Sequence, residues 1–219
     1  MLPRVLETEA MDTAAEAVGY DAMDHSEVNR RFVDDLLAAS PPPGEILDLG
    51  TGTALIPIEL GRRRTGHRIL GVDLAEHMLA LGRKNVERAG LCEAITLERV
   101  DAKGLPYATG RFDVVMSNSI VHHIPEPRSA LAEAVRVLRH GGLMFVRDLL
   151  RPDDDATVRR LVDLYAANDT PHQRQMFYDS LRATLTLDEI RDLVASLGFS
   201  HDSVQQTTDR HWTWSAVKP

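Results

Sequence analysis

Residues 45–54 read Glu45-Ile46-Leu47-Asp48-Leu49-Gly50-Thr51-Gly52-Thr53-Ala54, and this stretch decides the fold. Its first half is mostly apolar and predicts a buried strand that ends at Gly50, and the spacing after it predicts a helix over 55–63. Between the two, a pair of glycines lets the backbone approach a ligand closely and adopt dihedral angles that a Cβ atom forbids. The free N–H groups at the start of the helix suit a carboxylate. Turns also need glycine for structural reasons, so the pattern alone leaves a purely structural role open.

Strands and helices alternate along the rest of the chain. Further strands are predicted at 67–73, 94–100, 112–117 and 143–149, and two closing strands at Val204 and at Trp212, Trp214 and Ala216. Helices are predicted at 75–89 and through Leu131, Val135 and Leu138, the second of them ended by Gly141-Gly142. The alternation predicts an α/β fold, a Rossmann-like seven-stranded and mostly parallel sheet with helices on both faces. Sheets of this kind bind ligands beyond the carboxyl ends of their strands.

The two flanks of this core are predicted to be helical. Asp24-His25-Ser26-Glu27 resembles a capping box that opens an N-terminal helix, and three prolines at 41–43 end it. A helical insertion follows strand 5 over 151–185, with a break around 168–171. A second capping box, Thr186-Leu187-Asp188-Glu189, opens a helix that Gly198 ends.

Composition limits the classes of protein that fit. With 219 residues, 43% hydrophobic and 26% charged, the chain suits one globular domain. The single cysteine, Cys92, has no internal partner, and no Cys/His cluster predicts a metal site. A net charge of −8 argues against nucleic acid as a partner. Residues 1–16 lack a signal-peptide pattern and no run reaches the roughly 18 to 20 apolar residues of a membrane span, so we expect a cytoplasmic protein.

Two carboxylates follow the second and third predicted strands. Asp73 can accept both hydroxyls of a ribose, although a plain helix N-cap is the alternative. Asp101 can accept the exocyclic amine of an adenine, although a solvated loop aspartate is the alternative. Beside a glycine turn after strand 1, the two together describe a bound adenosine that carries a small charged tail.

Other nucleotide sites fit less well. A dinucleotide fingerprint places glycine or alanine five residues after its first glycine, where this chain has Leu55, so a nicotinamide dehydrogenase is disfavoured. No lysine followed by serine or threonine comes after the loop, which excludes a P-loop.

Five segments resemble successive motifs of the class I S-adenosylmethionine-dependent methyltransferases. They are Ile46–Thr53, Gly71–Leu74, Asp101-Ala102 with Leu105-Pro106, Arg111–Asn118 and Leu138–Gly142. Order and spacing fit over 44–150, and within the class the chain is most similar to the small-molecule branch that includes ubiquinone and menaquinone C-methyltransferases. Ala54 departs from the third glycine that many members carry.

The resemblance implies S-adenosylmethionine as the cofactor and a role for each matching residue. The methionine part of the cofactor would face Gly50, Thr51 and Gly52, with Asp48 near its amino group. The ribose would be held by Asp73, and the adenine by Leu74, Asp101 and Ala102. Asn118 would lie beside the methyl group, and Tyr20 would fold over the cofactor. It also implies a single methyltransferase domain over 1–219, divided into an N-terminal helical cap (1–43), a cofactor-binding core (44–150), a helical lid (151–185) and a closing helix with strands (186–219).

The acceptor side carries weaker signals. His122-His123 follow strand 4, and either one acts as a base or substrate contact, or the pair only orders the loop. Arg147-Asp148 is a polar pair on an apolar strand that either forms a structural ion pair or lines the acceptor pocket. We predict His122 and Arg147 as catalytic, and the substrate-binding residues as His123, Arg151, Arg174 and Tyr178. These side chains favour an anionic or polar acceptor.

The predicted function is methyl transfer to an O, N or C atom of a small molecule by in-line displacement, in which the protein mainly aligns the reactants. A protein that binds S-adenosylmethionine without catalysis, or a methyltransferase acting on protein or RNA, are the alternatives. The acceptor, the atom methylated and the oligomeric state, with a homodimer as one option, stay open.

Overall fold

The computed structural model describes residues 2–7 and 12–219. Residues 1 and 8–11, which belong to the N-terminal stretch predicted to lack a signal peptide, lie outside the described residues. The chain folds as two compact units. The large unit comprises 12–118, 128–146 and 215–219, and the small unit comprises 2–7, 119–127 and 147–214. Over the described ranges, no helix combines the length and the apolar character that crossing a bilayer requires.

Helices and strands alternate as the sequence predicts. The helices are α1 Ala14–Asp21, α2 Ser26–Ala38, α3 Leu55–Arg63, α4 Glu76–Arg88, α5 Pro127–Val137, α6 Asp155–Tyr165, α7 Pro171–Ala183 and α8 Leu187–Ser196. The strands are β1 Glu45–Leu49, β2 Arg68–Asp73, β3 Ile95–Arg99, β4 Phe112–Asn118, β5 Leu138–Leu149, β6 Val204–Gln206 and β7 His211–Val217. Short 3₁₀ turns lie at Val121–His123 and His201–Ser203.

The strands form one seven-stranded sheet in the order β3-β2-β1-β4-β5-β7-β6. β1 pairs in parallel with both β2 and β4, β2 pairs in parallel with β3, and β6 pairs antiparallel with β7. The predicted Rossmann-like α/β class is therefore confirmed. The strand order reverses between β1 and β4, which is where such sheets open a crevice for a ligand.

The core of the large unit lies around α2, β1, β2 and β4. Its buried members include Phe32, Leu36, Ile46, Ile69, Val114 and Phe145. The rings of Phe32 and Phe145 meet edge to face, with centroids 5.2 Å apart. Burying this aromatic pair fixes α2 against β5, since such contacts stabilise a core beyond the apolar area that they bury.

The small unit has its own core, made where α6 meets α7. Its buried members are Leu149, Val158, Leu161, Val162, Ala166 and Leu181. Two capping boxes fix the helix starts: Thr170 with Gln173 at α7, and Thr186 with Glu189 at α8. The second confirms the box predicted from the sequence, in which each residue satisfies the other's free backbone N–H.

The predicted capping box at 24–27 is wrong. The N-cap of α2 is His25, which makes no side-chain cap, and Asp24 instead accepts the N–H of Ser26 with its Oδ1 at 3.0 Å. Because the helix begins at Ser26, Glu27 is only its second residue, and a capping box needs the third.

The predicted end of the helix after Leu131 is also wrong. α5 ends at Val137, and Gly141-Gly142 lie inside β5. Lys218 explains the difference, because its Nζ donates to the carbonyls of Val135 and Leu138 at 2.6 and 2.7 Å. The lysine ammonium satisfies one carbonyl in the last turn of α5 and the carbonyl of the residue that follows the helix, so no glycine cap is needed.

Gly71 on β2 leaves no room for a side chain. A Cβ atom there would lie 2.6 Å from Thr51 Oγ1 and 2.7 Å from Leu97 Cδ2. We expect Gly71→Ala to lower the free energy of unfolding by about 1–3 kcal/mol, as overpacked cores do. Urea denaturation measures it. Gly104→Ala is the control, because nothing lies within 4 Å of its Cβ position. Equal stability of the two variants would contradict the account.

Candidate functional site

The glycine turn after β1 has a left-handed backbone. Gly50, Gly52 and Ala54 have φ angles of 71°, 54° and 62°. The N–H groups of Gly50 and Thr51 both donate to the carbonyl of Val72, at 2.8 and 3.0 Å. Ala54 is buried and occupies the N-cap of α3. An alanine in this conformation costs about 1 kcal/mol relative to glycine, so a third glycine would fit this position with less strain.

Asp73, at the end of β2, holds the same turn from the other side. Its Oδ2 accepts the N–H of Gly52 at 2.8 Å, and its Oδ1 accepts the N–H of Ala75 at 2.9 Å. The N-cap of α4 is Ala75, so Asp73 is not itself the cap, although it orders the start of that helix. Burial raises the pKa of Asp73. Each carboxylate oxygen keeps further acceptor capacity for a ligand hydroxyl.

A pocket opens at the carboxyl ends of β1 and β4, with an empty volume of about 340 Å³ that includes open solvent. Its lining residues are Tyr20, Asn29, Asp48, Gly50, Thr51, Thr53, Leu55, Ile56 and Asn118. Five of the residues predicted to bind the cofactor thus surround one cavity, at the sheet position where α/β proteins bind ligands.

The electrostatics of the pocket are those of a cation site. Asp48 is buried, and burial raises its pKa to about 7, with the charge of Asp73 acting in the same direction. No lysine or arginine is among the described residues that line the pocket. Thr53 Oγ1 is buried and has no hydrogen-bond partner within the described ranges. Buried polar groups are normally paired, so the pocket fits a ligand that brings a cation and hydrogen-bonding atoms.

Tyr20 stays neutral at this pocket. Burial, together with the charges of Asp73 and Asp48, raises the pKa of its phenol to about 12. Its ring also lies 4.5 Å from that of His25, centroid to centroid. A neutral phenol offers a ligand both a donor and an acceptor.

The predicted adenine residues lie outside this pocket lining. The Asp101 side chain is 46% exposed, its Oδ1 accepts the N–H of Lys103 at 2.9 Å, and Lys103 Nζ lies 3.4 Å away. Ala102 is buried and Leu74 half-buried. Gly52 contributes its N–H to Asp73 rather than to the lining. The adenine assignment of these residues therefore stays a prediction.

The remaining lining residues were not predicted from the sequence. Thr53, Leu55 and Ile56 belong to the turn and to the first residues of α3, so their closeness to the glycine pair was a usable signal. Asn29 lies on α2, which no local pattern links to the turn. Only the tertiary fold of the large unit brings Asn29 to Asp48 and Asn118.

Comparison with known proteins agrees with this geometry. Residues 47–146 match the family model described as a methyltransferase domain. The chain carries a class I S-adenosylmethionine-dependent methyltransferase domain. The resemblance found in the sequence is thereby confirmed, and the cofactor predicted from it is that of the family.

Two curated relatives have named activities. The ubiquinone/menaquinone biosynthesis C-methyltransferase UbiE of Ruegeria is 35% identical over 146 residues, which cover 64% of this chain and 58% of that protein. The malonyl-[acyl-carrier protein] O-methyltransferase of Geobacter sulfurreducens is 34% identical over 193 residues, covering 84% and 66%. The chain thus spans little more than half the length of the first relative. A crystal structure of an S-adenosylmethionine-dependent methyltransferase from Aquifex aeolicus shares the fold, with a TM-score of 0.68, 15% identity, and coverage of 93% of this chain and 97% of that one.

The small unit holds a buried ion pair. His122 Nδ1 lies 2.5 Å from Asp148 Oδ1, and the His122 N–H donates to Asp148 Oδ2 at 3.1 Å. Burial by itself would lower the pKa of His122, but the charge and hydrogen bond of Asp148 raise it. Burial would likewise raise the pKa of Asp148, and His122 lowers it. Within the Arg147-Asp148 pair predicted on β5, the aspartate therefore forms its ion pair with His122.

His123 stacks on this pair and is kept neutral. The rings of His122 and His123 have centroids 4.0 Å apart. Burial and the neighbouring His122 lower the pKa of His123 to about 3, and Glu7 Oε2 lies 3.8 Å from its Nδ1. Arg4 donates to the carbonyl of Ile124 at 3.0 Å, so the N-terminal segment orders this loop.

Arg147 and Arg151 make contacts within the same unit. Arg147 is buried, and its Nε donates to Thr213 Oγ1 at 2.9 Å. Arg151 donates to the carbonyl of Thr184 at 3.1 Å and to Glu189 at 2.5 Å. These contacts give both buried guanidinium groups hydrogen-bond partners, as burial requires, and the assignment of the two arginines to catalysis and to the acceptor stays a prediction.

Arg174 and Tyr178 brace α6 against α7. Arg174 donates to the carbonyl of Ala166 at 2.9 Å and forms an ion pair with Asp163. The hydroxyl of Tyr178 donates to Asp155. Their assignment to the acceptor remains a prediction.

We expect Asp48→Asn to stabilise the ligand-free protein more at pH 8 than at pH 5. The folded pKa of about 7 lies above the unfolded value, so the wild type loses stability as pH rises through this range. The asparagine removes that loss. Urea denaturation at both pH values, without ligand, measures the difference in unfolding free energy between variant and wild type. If the difference in unfolding free energy between variant and wild type does not change with pH, the pKa of Asp48 is not raised in the folded protein.

We expect Asp148→Asn to lower the free energy of unfolding by about 3–5 kcal/mol at pH 6, because it leaves His122 buried without its anion. The raised pKa of His122 gives a contribution that is present at low pH and lost as pH rises through the folded pKa. The loss in the variant should therefore shrink at high pH. Asp163→Asn is the control, since its side chain is 69% exposed and such pairs contribute about 1 kcal/mol or less.

Proposed function

We propose that this chain transfers a methyl group from S-adenosylmethionine to a small-molecule acceptor, at an O, N or C atom. The buried carboxylate of Asp48, near the carboxyl end of β1, carries the proposal, because the described residues that line its pocket include no lysine or arginine. A ligand ammonium there would favour the charged form of Asp48 and remove the cost of its burial. The methyltransferase family match over 47–146 supports the same ligand.

The sulfonium of S-adenosylmethionine supplies an activated methyl group, so the protein mainly binds and orients the reactants and excludes water. A base is needed in addition only where the acceptor atom must lose a proton. We assign Asp48 to the ammonium and Asp73 to the ribose, with Asn118 beside the reacting centre. Asp73 accepts the N–H of Gly52, and the carbonyl of Val72 accepts those of Gly50 and Thr51. These bonds hold the turn in one conformation, which supports a fixed position for the methionine part of the cofactor. Leu74, Asp101 and Ala102 are proposed for the adenine.

For the acceptor, the relatives support a small organic molecule. One acts in ubiquinone and menaquinone biosynthesis, and another on malonyl-[acyl-carrier protein]. His122 and Arg147 stay the proposed catalytic residues to test, while the ion pairs of Arg151 and Arg174 support structural roles. We propose that residues 1–219 work as one methyltransferase domain.

S-adenosylhomocysteine should bind to the wild type, and Asp73→Ala should weaken it about 10- to 100-fold, because a hydrogen bond to a charged group contributes about 1.5–3 kcal/mol. Calorimetry measures both affinities. Asp34→Ala, which removes a carboxylate that is 59% exposed on α2, should bind as the wild type does. Tight binding of NADH without binding of S-adenosylhomocysteine would refute the proposal.

Catalysis needs its own assay. Incubation with S-adenosylmethionine and a metabolite pool should release S-adenosylhomocysteine above the background of the Asp48→Asn variant. Binding without release from any fraction of the pool would favour the non-catalytic alternative.

A further inference from the structure

Asn85 on α4 joins two parts of the large unit that both face the pocket. Its Nδ2 donates to Asp21 Oδ1 at 2.8 Å and to the carbonyl of Thr53 at 3.2 Å. A side-chain amide has two N–H donors, so these two bonds use its full donor capacity. Asp21 is the last residue of α1, directly after Tyr20, and Thr53 belongs to the glycine turn.

We propose that Asn85 is a positioning residue, whose amide ties the end of α1 to the glycine turn and thereby holds Tyr20 at the cofactor pocket. The proposal rests on the proposed cofactor role of that pocket. Tyr20, Thr53 and Asp48 all line it, so a single bridging group sets the relative position of its two walls.

The close approach of α4 to the turn supports this role. Gly82 lies one turn before Asn85, and a Cβ atom there would lie 2.9 Å from Leu97 Cδ1, 3.2 Å from the Thr53 carbonyl carbon and 3.3 Å from the Gly52 oxygen. Glycine in a helix interior costs about 1 kcal/mol relative to alanine, so its presence needs a reason. Gly82 lets α4 pack closely both on Leu97 of β3 and on the glycine turn, and the second contact brings Asn85 within reach of Thr53.

α1 depends on such contacts for its place. It has eight residues, too few to be stable alone, and its apolar anchor is small: Ala17 packs with Ala75 and Met78, and the half-buried Tyr20 lies against them. At its start, Asp12 accepts from the N–H and ring of His77 at 3.1 and 3.0 Å, an exposed contact of small value. Asn85 is therefore the polar anchor next to Tyr20.

Asn85 acts through Tyr20, so its loss should change cofactor binding in a particular way. Without the amide, the Thr53 carbonyl and Asp21 both lose a donor, and α1 is freed at the end that carries the phenol. Affinity for S-adenosylhomocysteine should fall and its dissociation should become faster. A purely structural role would lower stability without these two changes.

The test uses the full chain and S-adenosylhomocysteine, with calorimetry for affinity and stopped-flow fluorescence for dissociation. Asn85→Ala and Asp21→Ala should each weaken binding about 10-fold and speed dissociation, whereas Asp21→Asn, which keeps an acceptor oxygen, should stay within about 2-fold of wild type. Lys84→Ala, exposed on the same helix, is the matched control and should bind as the wild type does.

A double-mutant cycle with Tyr20→Ala decides whether Asn85 acts through Tyr20. In that background, Asn85→Ala should change affinity by less than about 2-fold, because coupled residues are not additive. A full loss of about 10-fold there, or unchanged affinity of Asn85→Ala alone, would overturn the positioning role. Failure of the wild type itself to bind S-adenosylhomocysteine would instead overturn the proposed function.

Discussion

The hydrogen bond from the N–H of Gly52 to Asp73 is the contact on which the large unit's site depends. It joins the turn after β1 to the end of β2, and Val72 adds two further acceptor bonds to the same turn. Three left-handed residues are then tolerated in a short loop, because the surrounding structure holds them in place. The part of the pocket lining that lies after β1 and the close approach of α4 both depend on this fixed turn.

Strong local patterns were enough to predict most of the fold. Alternating strands and helices, the glycine turn and the box at Thr186 all agree with the structure, since each depends on neighbours in sequence. Two predictions failed where a distant group or a small shift decided. Lys218 caps α5 from the far end of the chain, so Gly141-Gly142 could remain in a strand. At Asp24, a one-residue shift in the helix start removed the box.

The site was predictable to the extent that it lies at strand ends. Topology predicts the glycine turn at Gly50, because parallel strands present their carboxyl ends together, whereas Asp48 and Asn118 were assigned through the family resemblance. Asn29 and Asn85 follow from neither, since each reaches the pocket or its walls through packing between helices. For the Arg147-Asp148 pair on β5, the sequence left open a structural ion pair or a role in the acceptor pocket. The buried contact between His122 and Asp148 supports the structural ion pair for the aspartate.

The raised pKa of Asp48 has a thermodynamic consequence for ligand uptake. Near pH 7 a large share of the empty pockets carries a proton on this carboxyl group, since its pKa is about 7. A ligand ammonium that pairs with the carboxylate expels that proton into the solvent. Binding is then accompanied by proton release, and the heat measured for it varies with the ionisation enthalpy of the buffer.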